Sequence, residues 1–82
     1  MENSIFKEYL KDLAILLKEK ARYAVIDRDS KKQDGGPDYD YADGLLMAYH
    51  EVISLMQQQA EAFGIPLALV KLDDINPETE LL

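Results

Sequence analysis

Residues 41–56, Tyr-Ala-Asp-Gly-Leu-Leu-Met-Ala-Tyr-His-Glu-Val-Ile-Ser-Leu-Met, decide the fold. Apolar side chains recur there in steps of three and four, the period of an α-helix. They fall on two adjacent stripes. One is Tyr41, Leu45, Ala48, Val52, Leu55 and Ala62, interrupted by Gln59. The other is Ala42, Leu46, Tyr49, Ile53, Met56, Ala60 and Phe63. Together they span about half the circumference, wider than the roughly 100° stripe of a simple surface helix.

The pattern predicts a helix over residues 39–63. Asp38 or Asp40 can cap its start, and Asp43 suits the positive end of the helix dipole. Gly64-Ile65-Pro66 is a strong stop. Glycine supplies a left-handed residue, Ile65 can fold back on Ala60, and proline blocks continuation.

Upstream, residues 4–26 repeat the α period. Ser4 or Asn3 can cap this helix. Phe6, Leu10, Leu13, Leu17, Ala21 and Ala24 form its stripe, and Ile5, Tyr9, Leu16 and Tyr23 widen it on one side. Between the helices, residues 27–38 hold no large apolar side chain and contain Gly35-Gly36-Pro37. They read as an exposed loop, or as frayed helix over the first few residues followed by loop. Residues 64–82 form a tail with Leu67, Leu69, Val70, Leu72 and Ile75, too apolar for a disordered linker. Residues 66–70 suit one helical turn or a short extended run. Asn76-Pro77-Glu78 is a helix-start signal, with a cap, Pro at the first position and an acid in the first turn. The tail is expected to pack across the hairpin with its last residues frayed.

The fold expectation is therefore one all-α domain, an antiparallel two-helix hairpin with short C-terminal helical turns. A single covering helix matches about one stripe of its neighbour. The second stripe of helix 39–63 then asks for a partner, so a homodimer forming a four-helix bundle is expected. The bulkier stripe, Leu46, Tyr49, Ile53 and Met56, is the expected dimer interface, on the premise that the tail supplies few large side chains.

Composition narrows the function. The chain has 82 residues and no cysteine, so neither disulfides nor thiolate metal sites can support a small core. Its formal charge is −7, and phosphate backbones repel such a surface, so nucleic acid is not expected as a partner. The acids concentrate downstream: residues 1–26 balance at +1, 27–44 at −3 and 45–82 at −5. No stretch approaches the roughly 18 apolar residues of a membrane span, and the start lacks the basic region of a signal peptide. A cytoplasmic location without membrane contact is the expectation.

No candidate site assembles catalytic chemistry. His50 is the only histidine, and the residue three before it is Met47, so the Glu-x-x-His ligand pair of carboxylate-bridged bundle metals is absent. It reads as a helix-surface histidine. Asp38, Asp40 and Asp43 fail the calcium-loop register, because the fifth and sixth positions from Asp38 are Ala42 and Asp43 and the twelfth is Tyr49. They read as an acidic helix start, and no metal or cofactor is expected. Gly44 inside the helix suggests close approach of a backbone or ligand, or else a tolerated first-turn glycine. Gln59 is expected to hydrogen-bond across the bundle, and tyrosines 9, 23, 39, 41 and 49 to pack in the core or at a subunit interface. The expected function is a non-enzymatic interaction or structural protein working as a homodimer. The alternative is an acidic antagonist, antitoxin- or inhibitor-like, covering a basic protein surface.

Overall fold

A computed structural model describes residues 2–82, with side chains from Ser4 onward. It is 80% helical, with no strand among the described residues. Two long helices, α1 (Glu2–Lys31) and α2 (Gly36–Ala62), pack antiparallel. A 3₁₀ turn (Leu67–Val70) and a short helix, α3 (Pro77–Glu80), follow. The principal extents, 50 × 20 × 17 Å, are those of a rod one hairpin long. No helix among the described residues is long and apolar enough to cross a membrane.

The loop is much shorter than residues 27–38. Helix α1 runs on through Asp27-Arg-Asp-Ser-Lys31 and turns only at residues 32–35. These five residues are polar but include no helix breaker, and they are tied locally. Lys31 pairs with Asp27 one turn back at 3.1 Å, and Ser30 Oγ donates to the Asp27 carbonyl at 2.7 Å. Arg28 reaches across to Asp43 of α2 at 3.7 Å. The break itself falls on Gly35 and Gly36, both at positive φ, where other residues are strained.

The helix stop at Gly64 takes the form its sequence predicts. Gly64 is left-handed, Ile65 N–H donates to the Ala60 carbonyl at 2.7 Å, and Gly64 N–H donates to the Glu61 carbonyl at 3.0 Å. Pro66 then sends the chain into the 3₁₀ turn. Asn76 caps α3 by accepting from Glu78 N–H at 3.0 Å, while its own N–H donates to Glu80 Oε2 at 2.7 Å.

What each element gives the core is unequal. Helix α1 buries alanines, Ala14, Ala21 and Ala24, together with Lys18. Helix α2 contributes Ala42, Leu46, Ile53 and Ala60, and the tail contributes Val70, Leu72, Ile75 and Leu81. The largest fully buried side chains are Leu46, Ile53, Leu72 and Leu81. Half of these come from the tail, so the tail is a structural third layer. Its end is pinned through Leu81 at 0% exposure, which leaves only Leu82 of the terminal pair exposed.

Gly44 is not a close-approach site. It lies more than two turns into α2 and is exposed, and a methyl group there would meet nothing within 4 Å. It is neither a first-turn residue nor a contact within the chain, only a helix-weakening one. Gly44→Ala should therefore raise stability by about 0.5–1 kcal/mol, read as a higher urea midpoint with unchanged slope. A lower midpoint would mean that something outside this chain's own contacts occupies that spot.

Candidate functional site

The hairpin has two faces, and the tail covers one. On α1, Lys18 Nζ donates to Asp74 Oδ1 at 2.6 Å, and Arg22 donates to the Asp74 carbonyl at 3.0 Å and to Glu80 at 3.4 Å. On α2, Gln57 Nε2 donates to the carbonyls of Leu72 at 3.0 Å and Ile75 at 2.9 Å. The glutamine that crosses between elements is thus Gln57. Gln59, expected in that role, is exposed at the rim of a hollow and makes no such hydrogen bond. His50 is a tail contact rather than a free surface group. Its Nε2 is buried without a hydrogen bond, 3.3 Å from Glu78 Oε1.

The other face is open and apolar. At roughly 100° per residue, Tyr23 stands about 140° around α1 from Lys18, well away from the tail. With it run Ile5, Tyr9 and Leu16, all exposed, while Phe6, also exposed, lies beside the tail residues Ile65, Leu69 and Val70. On α2 the exposed strip is Tyr41, Leu45, Val52 and Leu55, and Phe63, just past the helix end, continues it. The two strips border one groove. Tyr23, Lys20 and Asp27 of α1 line a hollow of about 350 Å³ together with Leu45 and Tyr49 of α2. A second, almost wholly apolar hollow of about 200 Å³ lies at the far end between Leu10, Phe63, Ile65 and Val70.

This arrangement changes which residues are available to a partner. Leu46 and Ile53 of the expected interface lie in the chain's own core at 1% and 0% exposure. Tyr49 and Met56 are partly buried against that core. The reason is the tail, which supplies four buried apolar side chains, Val70, Leu72, Ile75 and Leu81, where few were expected. The bare strip is instead the first of the two α2 stripes, joined by the residues that widen α1. Both sets of residues stand in the sequence, which lacks only the direction in which each points. Of the tyrosines, Tyr9, Tyr23 and Tyr41 are on the open face, and Tyr39 and Tyr49 are half-buried.

The groups that chemistry would recruit are occupied structurally. Asp43 meets Arg28, His50 meets Glu78, and Lys18 meets Asp74. Asp38 and Asp40 are exposed, and no cluster of three or more metal-ligating side chains exists among the described residues. No family model, curated protein or solved structure matches the chain.

The electrostatics of the clasp has a pH signature. The hydrogen bond from Lys18 holds the Asp74 carboxyl below its ordinary value. Partial desolvation opposes this, and the positive charges of Lys18 and Arg22 add to it. A carboxyl held low when folded gives stability that is complete above the unfolded value of about 3.9 and is lost as pH falls through the folded value. Asp74→Asn should flatten part of the acid loss of stability. At pH 7 it should cost about 1 kcal/mol, since the carboxylate is half-exposed and screened. Urea melts at pH 7 and below pH 3 test this. An unaltered pH dependence in the Asp74→Asn chain would show that the clasp carries none of the acid sensitivity.

Proposed function

We propose that this chain is a non-enzymatic interaction protein that acts as a homodimer, closing a four-helix bundle on the open face. One observation carries the reading: on α1, the fully buried apolar side chains are small and the largest ones point out. Helix α1 turns alanines toward α2 while Phe6, Tyr9 and Tyr23 are each more than 60% exposed. The large side chains of the two strips, at roughly 150–250 Å² per aromatic, offer on the order of 1,000 Å². A monomer's largest apolar patch is commonly about 300–600 Å², and a stable interface takes about 800 Å² from each partner. A second copy brings a matching patch, since a two-fold contact uses one surface twice. The four-helix product would supply the large-residue core that the single chain lacks.

The second reading, an acidic antagonist, draws on the ion pairs. Lys11, Lys18, Arg22, Arg28 and Lys31 are all paired with carboxylates of their own chain. Most of the remaining acids are therefore left to the solvent, where they can meet a basic surface. Its mark would be a heterologous complex that dissolves with salt.

Sedimentation equilibrium at tens of micromolar should return a dimer. Val52→Asp, on the open face, should yield a monomer that keeps its helical circular dichroism. Ile53→Asp, one residue on, should unfold the chain by burying a carboxylate in its own core. A wild-type monomer overturns the homodimer reading, and a dimer that survives Val52→Asp moves the contact off this face.

A further inference from the structure

The open face has an internal symmetry that fixes how a second copy would sit. On α1, Tyr9 and Tyr23 lie seven residues before and after Leu16. Asp12 and Lys20 lie four before and four after it. The strip is thus centred on Leu16, with opposite charges at mirrored positions. Arg28 beside Asp43, and Leu10 beside Ala60 in one hollow, set the register of the hairpin and put Leu16 level with about Ser54. Around Ser54 the α2 strip is centred too. Leu45 and Phe63 lie nine residues to either side, and Val52 and Leu55 flank the middle.

Resting on the homodimer reading, we propose that the copies dock face to face and antiparallel. The two-fold axis lies in the interface plane, at right angles to the helices, and passes Leu16. Each α1 then lies on the partner's α1, and each α2 on the partner's α2. Leu16 meets its own copy at the axis, and Tyr9 of one chain faces Tyr23 of the other. Asp12 of each copy comes level with Lys20 of the other, giving two ion pairs by symmetry. Neither residue has an ion-pair partner in its own chain among the described residues.

The competing two-fold runs along the hairpin and lays α1 on the partner's α2. There Lys20 arrives near Ala48 and Val52, on a strip whose members from Tyr41 to Phe63 include no carboxylate. Bringing an ammonium against apolar side chains without a counter-charge is unfavourable. Charge complementarity therefore selects the antiparallel arrangement.

The chain has no cysteine, so one introduced thiol reports on one position. Leu16→Cys should give a covalent dimer with a short bis-maleimide in native buffer. Met47→Cys, exposed on a different side of α2, should not. Asp12→Lys and Lys20→Asp should each weaken dimerisation by several-fold to about tenfold, the scale of two half-exposed ion pairs. The double variant should recover most of it, because the pairs re-form reversed. Circular dichroism on each variant confirms the fold. A Leu16→Cys dimer that resists cross-linking, or a double variant no tighter than the singles, overturns the axis and leaves the homodimer standing. A wild-type monomer overturns both.

Discussion

The contact between α1 and α2 is lined by alanine, and the rest of the structure follows from that. Ala14, Ala21 and Ala24 give α1 a smooth inner face against Leu46 and Ile53. Small residues let two helices approach near the lower end of the usual 8–10 Å separation. No space is left between them for Phe6, Tyr9 or Tyr23, so these aromatics are placed elsewhere on the circumference. A groove between two such helices is also shallow, which is why a short tail can fill it. Leu72, Ile75 and Leu81 wedge in along one side. Two thin layers and a wedge make the core, and Tyr9, Leu16, Tyr23, Tyr41, Leu45, Val52 and Leu55 remain on the side the wedge does not reach.

The polar contacts decide which side that is. Lys18 is the only charged residue buried among the described residues, and it ends on Asp74. Its four-carbon stem lies in the core while its head meets a carboxylate at the surface. Gln57 performs the matching role on α2, satisfying two tail carbonyls, those of Leu72 and Ile75. An apolar tail with free backbone carbonyls would bind either groove about equally well. Lys18, Arg22 and Gln57 on one side make the choice unambiguous, and the lack of equivalents among Tyr23, Leu45 and Val52 leaves the other side open.

Much of this is legible in the chain. The two helices, the stop at Gly64 and the cap at Asn76 rest on local rules that act over a few residues, and local rules can be read locally. The extension of α1 to Lys31 is less visible, because residues 27–31 are polar like a loop while only Gly35 and Gly36 break the helix. The direction of the stripes is not legible. Periodicity gives the width of an apolar arc and says nothing of which half meets a neighbour within the chain. Both stripes of α2 stand in the sequence, yet which one turns inward is settled by the volume of the tail, a property of residues far along the chain. Gln57 and Gln59 show the same limit. They differ by about 200° around one helix, and only the position of the tail carbonyls distinguishes them.

The net charge of −7 bears on how such a face can be used. Apolar strips of this size invite indiscriminate association. Here the carboxylates are distributed so that the α2 strip of the open face is free of them, and Asp12 and Asp27 on its α1 side flank Lys20 along the helix. On α2, Asp40, Glu51 and Glu61 lie off the Tyr41–Phe63 strip, and the tail carries Asp73, Asp74, Glu78 and Glu80 on the opposite side. Two copies meeting tail to tail bring like charges within about 8 Å, the distance over which physiological salt leaves them effective. Two copies meeting by the open face keep those charges outward. A self-complementary contact uses up that face in both partners, and what remains exposed is predominantly acidic. Under the proposed dimer, the assembly would end at two, since no second apolar face of that size is left on which a third copy could add.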